Sequence, residues 1–185
     1  MQSVLILWHI FCLPSKPAVP CGLFCHGLFI VTGEPALLLA NRKDIRLVNI
    51  TGSKPNVTVI VNHLDDALAV DFLYEEGYVF WTDINLEMIK RAVINRTQQT
   101  TRGIITTGIV SPDGLACDWV SKKLYWTDAE TNRIEVSDLD GNFRKVLYWQ
   151  RLDQPRAIAL DPFHGYVSPH LVNCDLYGIY IGVLS

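Results

Sequence analysis

The middle of the chain alternates apolar and polar residues with a period of two, not 3.6, and so predicts strands rather than helices. The clearest stretch runs from Gly114 to Trp149. Leu115 to Trp119 reads as one strand, Leu124 to Asp128 as the next, Arg133 to Ser137 as a third and Arg144 to Trp149 as a fourth. Asp138-Leu139-Asp140-Gly141 joins the last two, and its Asp-Gly step is a hairpin signal. In the second strand Leu124 and Trp126 point to one side and Tyr125 and Thr127 to the other, since successive side chains of a strand alternate. Both sides carry bulk, which predicts a sheet covered on both faces; a sheet with one wet face would be polar on that side.

The unit recurs. Phe80-Trp81-Thr82-Asp83 returns as Tyr125-Trp126-Thr127-Asp128, a shift of 45. Leu68-Ala69-Val70-Asp71 returns as Leu115-Ala116-Cys117-Asp118, shifted by 47, and as Ile158-Ala159-Leu160-Asp161, shifted by a further 43. Ile89 and Ile134 keep the offset of 45. A period of 43 to 47 residues suits one four-stranded blade of a β-propeller. Upstream, Ala36 to Ala40, Asp44 to Val48 and Val57 to Val61 read as a blade without its first strand. Downstream, Ile158 to Asp161 opens a further unit, but Gly165 to His170 stands where the next Trp-Thr-Asp is due, and periodicity dissolves over Leu171 to Ser185. The fold class expected is all-β, a partial propeller of about two and three-quarter blades over residues 34–167, with a leader over 1–33 and an aberrant tail over 168–185. The missing strand is expected to leave an unpaired edge, and the missing neighbours to leave aromatics such as Trp81 and Tyr125 poorly covered.

Composition fits a core-forming chain: of 185 residues 49% are hydrophobic and 19% charged, with a formal net charge of -3. No basic run is present, which argues against nucleic acid as a partner. The five cysteines, Cys12, Cys21, Cys25, Cys117 and Cys174, are odd in number and unevenly spaced, so no disulfide framework follows. Cys21, Cys25 and His26 lack the further ligands a zinc site needs, and no metal or other cofactor is expected. Val4 to Leu13 has the length of a signal-peptide core, which points to a weak signal peptide; neither it nor the apolar stretch Cys21 to Val31 reaches the roughly 20 residues that span a bilayer. Asn49, Asn56 and Asn95 each open an Asn-x-Ser/Thr acceptor for glycosylation and lean the chain toward the secretory pathway.

In antiparallel blades the connections from strand 2 to 3 and from strand 4 to the next strand 1 share one face of the disc. The three acceptor sites fall in strand 3 to strand 4 connections, on the other face, which leaves the first face clear for protein contact. Cys117, on a strand near the propeller centre, reads as a small buried thiol rather than a nucleophile. Asp83 and Asp128 end equivalent strands, where a structural hydrogen-bonding role explains their repetition better than catalysis. His63 and His164 sit in turns without a nucleophile or ligand set, and no residues assemble an enzyme site.

The YWTD tetrapeptide, with LACD and ALDP in the strands before it, resembles the class B repeat of the low-density lipoprotein receptor family. The stretch SPDGLACDWVSKKLYWTDAETNRIEVSDLDGNFRKVLYWQRLDQPRAIALDP, Ser111 to Pro162, is similar almost residue for residue to the first propeller of the paired Wnt co-receptors of that family. ANRKDIRLVN, Ala40 to Asn49, likewise resembles that propeller's start. The resemblance implies a six-bladed disc in an extracellular or cell-surface receptor. It implies a face that docks Wnt ligands and secreted Wnt antagonists, the latter through a short Asn-x-Ile peptide. The matching ligand-binding positions are Arg42, Asp65, Asp66, Ile84, Asn85, Val110, Ser111 and Arg156, with Asp65 standing where Glu is usual. The other blades of such a disc have no counterpart here, so the chain reads as a truncated isoform or fragment, secreted or retained in the endoplasmic reticulum. A structural matrix propeller of the nidogen type is the alternative reading.

Overall fold

A computed structural model describes residues 27–31, 34–49, 54–94, 100–160 and 178–181, with side chains placed over 36–49, 54–94 and 100–160. Described residues contain strands and turns without helix. Three four-stranded antiparallel sheets follow one another along the chain. The first comprises β1 (Gly27–Val31), β2 (Glu34–Ala40), β3 (Ile45–Asn49) and β4 (Asn56–Val61). The second holds β5 (Ala67–Leu73), β6 (Tyr78–Asp83), β7 (Met88–Val93) and β8 (Arg102–Ile105). The third holds β9 (Pro112–Asp118), β10 (Lys123–Asp128), β11 (Arg133–Asp138) and β12 (Lys145–Tyr148). Beyond it β13 (Ala157–Leu160) pairs in parallel with β14 (Gly178–Ile181).

Each sheet is a blade, and the period-two alternation places its two faces against different neighbours. Leu38, Ala40 and Ile45 of the first blade meet Val70, Phe72, Val79, Trp81 and Ala92 of the second in one apolar cluster. Ala69, Leu73, Phe80 and Ile89 on the second blade's other face meet Leu115, Cys117, Leu124 and Trp126 of the third. Ala116, Tyr125, Ile134 and Val136 meet Ile158 and Leu160 of β13. Leu124 and Trp126 thus face one way and Tyr125 the other, as the alternation predicts. First strands stack toward one centre: β9 lies against both β5 and β13.

Two expectations are corrected. The first blade does not lack a first strand, because Gly27–Val31, within the segment read as a leader, pairs antiparallel with β2. That pairing covers Glu34 to Leu38 and stops short of Leu39 and Ala40. Trp81 and Tyr125 are buried, 0% and 4% exposed, because the first blade covers one and β13 with its neighbours covers the other. His164 and the cysteines other than Cys117 lie outside the described residues.

Backbone details repeat with the blades. Glu87 and Asn132, each the last residue of a strand 2 to strand 3 connection, are left-handed with φ of 51° and 53°, and Arg42, second in the first blade's connection, is left-handed with φ of 55°. Gly114 is fixed by close approach: a Cβ there would collide with the carbonyl oxygen of Arg156 and the hydroxyl of Thr127. Gly141 has φ +85° and abuts the carbonyl of Ile104, which makes glycine the residue that fits the turn predicted from Asp-Gly.

Candidate ligand-binding face

One face of the disc is built from the connections 41–44, 62–66, 84–87, 106–111, 129–132 and 149–156, the strand 2 to 3 and strand 4 to 1 links. The eight predicted site residues all lie on these connections or at their edges. Arg42 reaches across the first blade boundary, its guanidinium donating to the Asp66 carboxylate at 2.8 Å while its carbonyl accepts the Ala67 amide at 2.8 Å. Lys43 donates to the backbone carbonyl of Asp65. The Asp66 carbonyl accepts the Ile84 amide at 3.2 Å, and 45 residues on the Ser111 carbonyl accepts the Ala129 amide at 2.9 Å. The same tie therefore anchors two successive connections. Asp65, Asn85 and Val110 are exposed, whereas Asp66, Ile84 and Ser111 are half-buried. Arg156 forms an ion pair with Asp113, half of its own side chain exposed. Its carbonyl accepts the Thr127 hydroxyl at 2.6 Å.

The repeated aspartates hold these connections in shape. Asp128, fully buried, accepts the amides of Val110 and Ser111 at 2.8 and 3.2 Å and those of Glu130 and Thr131 at 3.1 and 3.0 Å. Such an acceptor satisfies four amides in two connections at once. Asp83 does less: one oxygen accepts the Leu86 amide at 3.1 Å, and the other, without a hydrogen bond, has the Lys90 ammonium at 3.8 Å. This face is therefore held more tightly around Val110 and Ser111 than around Asp65 and Asp66.

On the opposite face Asn49 ends β3 and Asn56 begins β4, the two directly paired; Asn95 lies outside the described residues. Blades are also joined there, by Lys122 to Glu75 and Glu76 and by Arg91 to Asp140. The Lys122 ammonium is held above its ordinary pKa by the hydrogen bond to Glu75.

Sequence reasoning missed two buried polar groups. Asp71, in β5, accepts the Phe72 amide at 2.8 Å and, across the blade boundary, the Cys117 amide at 2.7 Å. Burial pushes its carboxyl up to about 7 against the opposing pull of those two amides. Its repeat partner Asp118 turns instead to Val120 and Ser121 in its own turn. Burial likewise raises the Cys117 thiol well above its usual range, which disfavours the thiolate. The second group is Glu135, which is 2% exposed and takes a two-pronged ion pair from Arg144 at 2.6 and 2.9 Å. Arg144 also donates to the carbonyls of Thr107 and Gly108 and lies 5.3 Å over the Trp126 ring. Among the described residues no cluster of His, Cys, Asp or Glu could hold a metal, and no helix is long and apolar enough to cross a membrane.

Residues 122–162 match the low-density lipoprotein receptor repeat class B. The chain is 57% identical over 141 residues to low-density lipoprotein receptor-related protein 5 of Mus musculus, covering 76% of this chain and 9% of that protein. Against the Homo sapiens protein of the same name it is 59% identical over 134 residues, covering 72% and 8%. The chain thus spans about a tenth of the length of these relatives. Among solved structures it is similar to a chain of a nidogen/laminin complex, with a TM-score of 0.57 and 29% identity, covering 66% of this chain and 46% of that one.

Proposed function

Because the chain carries a low-density lipoprotein receptor class B repeat within a partial β-propeller, we propose that it is part of the extracellular ligand-binding module of a Wnt co-receptor. In this reading it acts by binding protein and not by catalysis, as a fragment that is secreted or held in the endoplasmic reticulum. One observation carries the reading: Arg42, Asp65, Asp66, Ile84, Asn85, Val110, Ser111 and Arg156, far apart in sequence, sit on neighbouring connections of one face. Their mixture of exposed carboxylate, guanidinium and apolar side chains suits an extended peptide with a polar residue beside an apolar anchor. Wnt ligands and secreted Wnt antagonists carrying an Asn-x-Ile peptide are the proposed partners. The identity to the receptor-related proteins is about twice that to the nidogen/laminin chain, which favours the co-receptor over a matrix propeller.

The test is titration of an Asn-x-Ile peptide into the isotope-labelled chain, followed by amide NMR. Saturable shifts are expected at Ile84, Asn85, Val110 and Ser111, with affinity weaker than micromolar because the described connections make up only part of a docking rim. Shifts confined to the opposite face, or none up to the solubility of the peptide, would refute the assignment.

A further inference from the structure

We propose that Arg144 is a positioning residue for ligand docking: without touching the ligand, it presets the connection 106–111 in the shape that displays Val110 and Ser111. This role rests on the docking function proposed above. Arg144 is the last residue before β12, in a strand 3 to strand 4 connection, and so belongs by its backbone to the opposite face. Its guanidinium nonetheless crosses the blade boundary and donates to the carbonyls of Thr107 and Gly108, each at 2.6 Å.

The guanidinium is itself fixed. Glu135, 2% exposed, takes its two prongs at 2.6 and 2.9 Å, and the Trp126 ring lies 5.3 Å below it. Gly108, left-handed with φ of +64°, packs so close that a Cβ there would meet the guanidinium at 3.4 Å. A planar fork held by a carboxylate and a ring has little freedom left to lose, and its remaining N–H groups point where the fork points.

Opposite charges hold the two ends of the connection. At its start the Arg144 cation meets the carbonyls of Thr107 and Gly108; at its end the Asp128 carboxylate accepts the amides of Val110 and Ser111 at 2.8 and 3.2 Å. Between them Ile109, 3% exposed, sinks into the apolar cluster with Leu124 and Trp126. The backbone polar groups at both ends are thus engaged by the third blade, and Val110, 39% exposed, turns its side chain to solvent. The connection 62–66 is held differently, from the first blade, by Lys43 and by Arg42, whose side chain is 47% exposed. Exposed pairs hold weakly. Asp83, the counterpart of Asp128, turns to Leu86 in its own connection, and Lys90 stands opposite Trp81 where Glu135 stands opposite Trp126. One of the two neighbouring connections is therefore set in advance and the other is left to adapt.

A ligand that fits one shape of a connection binds with an affinity reduced by the fraction of time the connection spends in that shape. Arg144→Lys isolates this effect, because it keeps a cation beside Glu135 while a compact ammonium cannot span a carboxylate and two carbonyls as the fork does. In the whole chain, amide hydrogen exchange at Val110 and Ser111 is expected to speed up, and the affinity for an Asn-x-Ile peptide, followed by amide NMR, to fall by about five- to tenfold. Val79→Ala, a truncation at the other blade boundary, is the control for a general loss of stability, and is expected to leave affinity within about twofold. Glu135→Gln keeps the shape of the pair and removes its charge; it should act in the same direction as Arg144→Lys and decides the matter if that variant does not fold. Exchange at Val110 and Ser111 unchanged in the folded variant, or an affinity loss no greater than that of Val79→Ala, would overturn the positioning role while leaving the docking function standing. A wild-type chain that gives no saturable shift at Ile84, Asn85, Val110 and Ser111 would overturn the docking function and this role with it.

Discussion

Asp71 is the residue whose chemistry departs furthest from its sequence appearance. Its carboxyl titrates near 7, above the ordinary 3.8, because burial disfavours the charge. Folding therefore favours the protonated form: the contribution is fully present below pH about 4 and is lost as pH rises through 7, a swing on the order of a few kcal/mol. Asp71→Asn is expected to remove that component, so that the denaturation midpoint of the variant falls less than that of the wild type between pH 4 and 8. Equal slopes would mean that Asp71 is not desolvated. Trp126 is the simpler case. It is fully buried at a blade boundary, and Trp126→Ala is expected to cost about 3 to 5 kcal/mol by denaturant unfolding; a loss below about 1 kcal/mol would contradict its place in the core. The role of Asp128 could be anticipated from its repetition with Asp83. That of Asp71 could not, since Asp118 repeats the residue but not the partner, and the Cys117 amide that meets Asp71 comes from a neighbouring blade whose placement no local pattern specifies.

At the scale of the element, eight strands read from the alternation between Ala36 and Asp161 recur in the structure to within three residues at either end. Alternation works there because every blade is covered on both faces, so each position has a fixed apolar or polar demand. β1 escaped notice because it lies in a segment with no repeat of the Leu-Ala-x-Asp pattern. The clamp between Glu135 and Arg144 was also illegible, as the position of Glu135 is held by Lys90 one blade earlier and no repetition marks it. That clamp ties β11 to the connection that carries Val110 and Ser111. Removing one partner of a buried ion pair strands the other charge, so Arg144→Ala is expected to destabilise by about 3 to 5 kcal/mol. Glu135→Gln combined with Arg144→Ala should cost less than Arg144→Ala alone, measured in the same unfolding experiment. If the double variant is the worse of the two, the pair is not the source of the loss.

For the whole molecule, the repeat gave the architecture and the topology gave two unlike faces, one with the proposed docking residues and one with the proposed glycan sites. Expressed through the secretory pathway, the chain is expected to carry a glycan on Asn95, seen as a gel shift removed both by deglycosylation and by Asn95→Gln. Should neither treatment change mobility, the assignment of that face to glycans fails. The ends were the least legible part, because pairing there is set by which edge is left open and not by local pattern. Thus Gly27–Val31 joins the sheet from within a segment read as a leader.

The left-handed turn shared by Glu87 and Asn132 has a consequence for how such a surface can change over time. Two successive blades hold one conformation at one site, the last residue of the connection, with two unlike side chains, an anion and an amide. Backbone geometry there is a property of the repeat, while side-chain identity varies between blades. Mutation can therefore rewrite the chemical lettering of this face one blade at a time without redrafting the frame that carries it, and a duplicated blade arrives with a blank already in the right place.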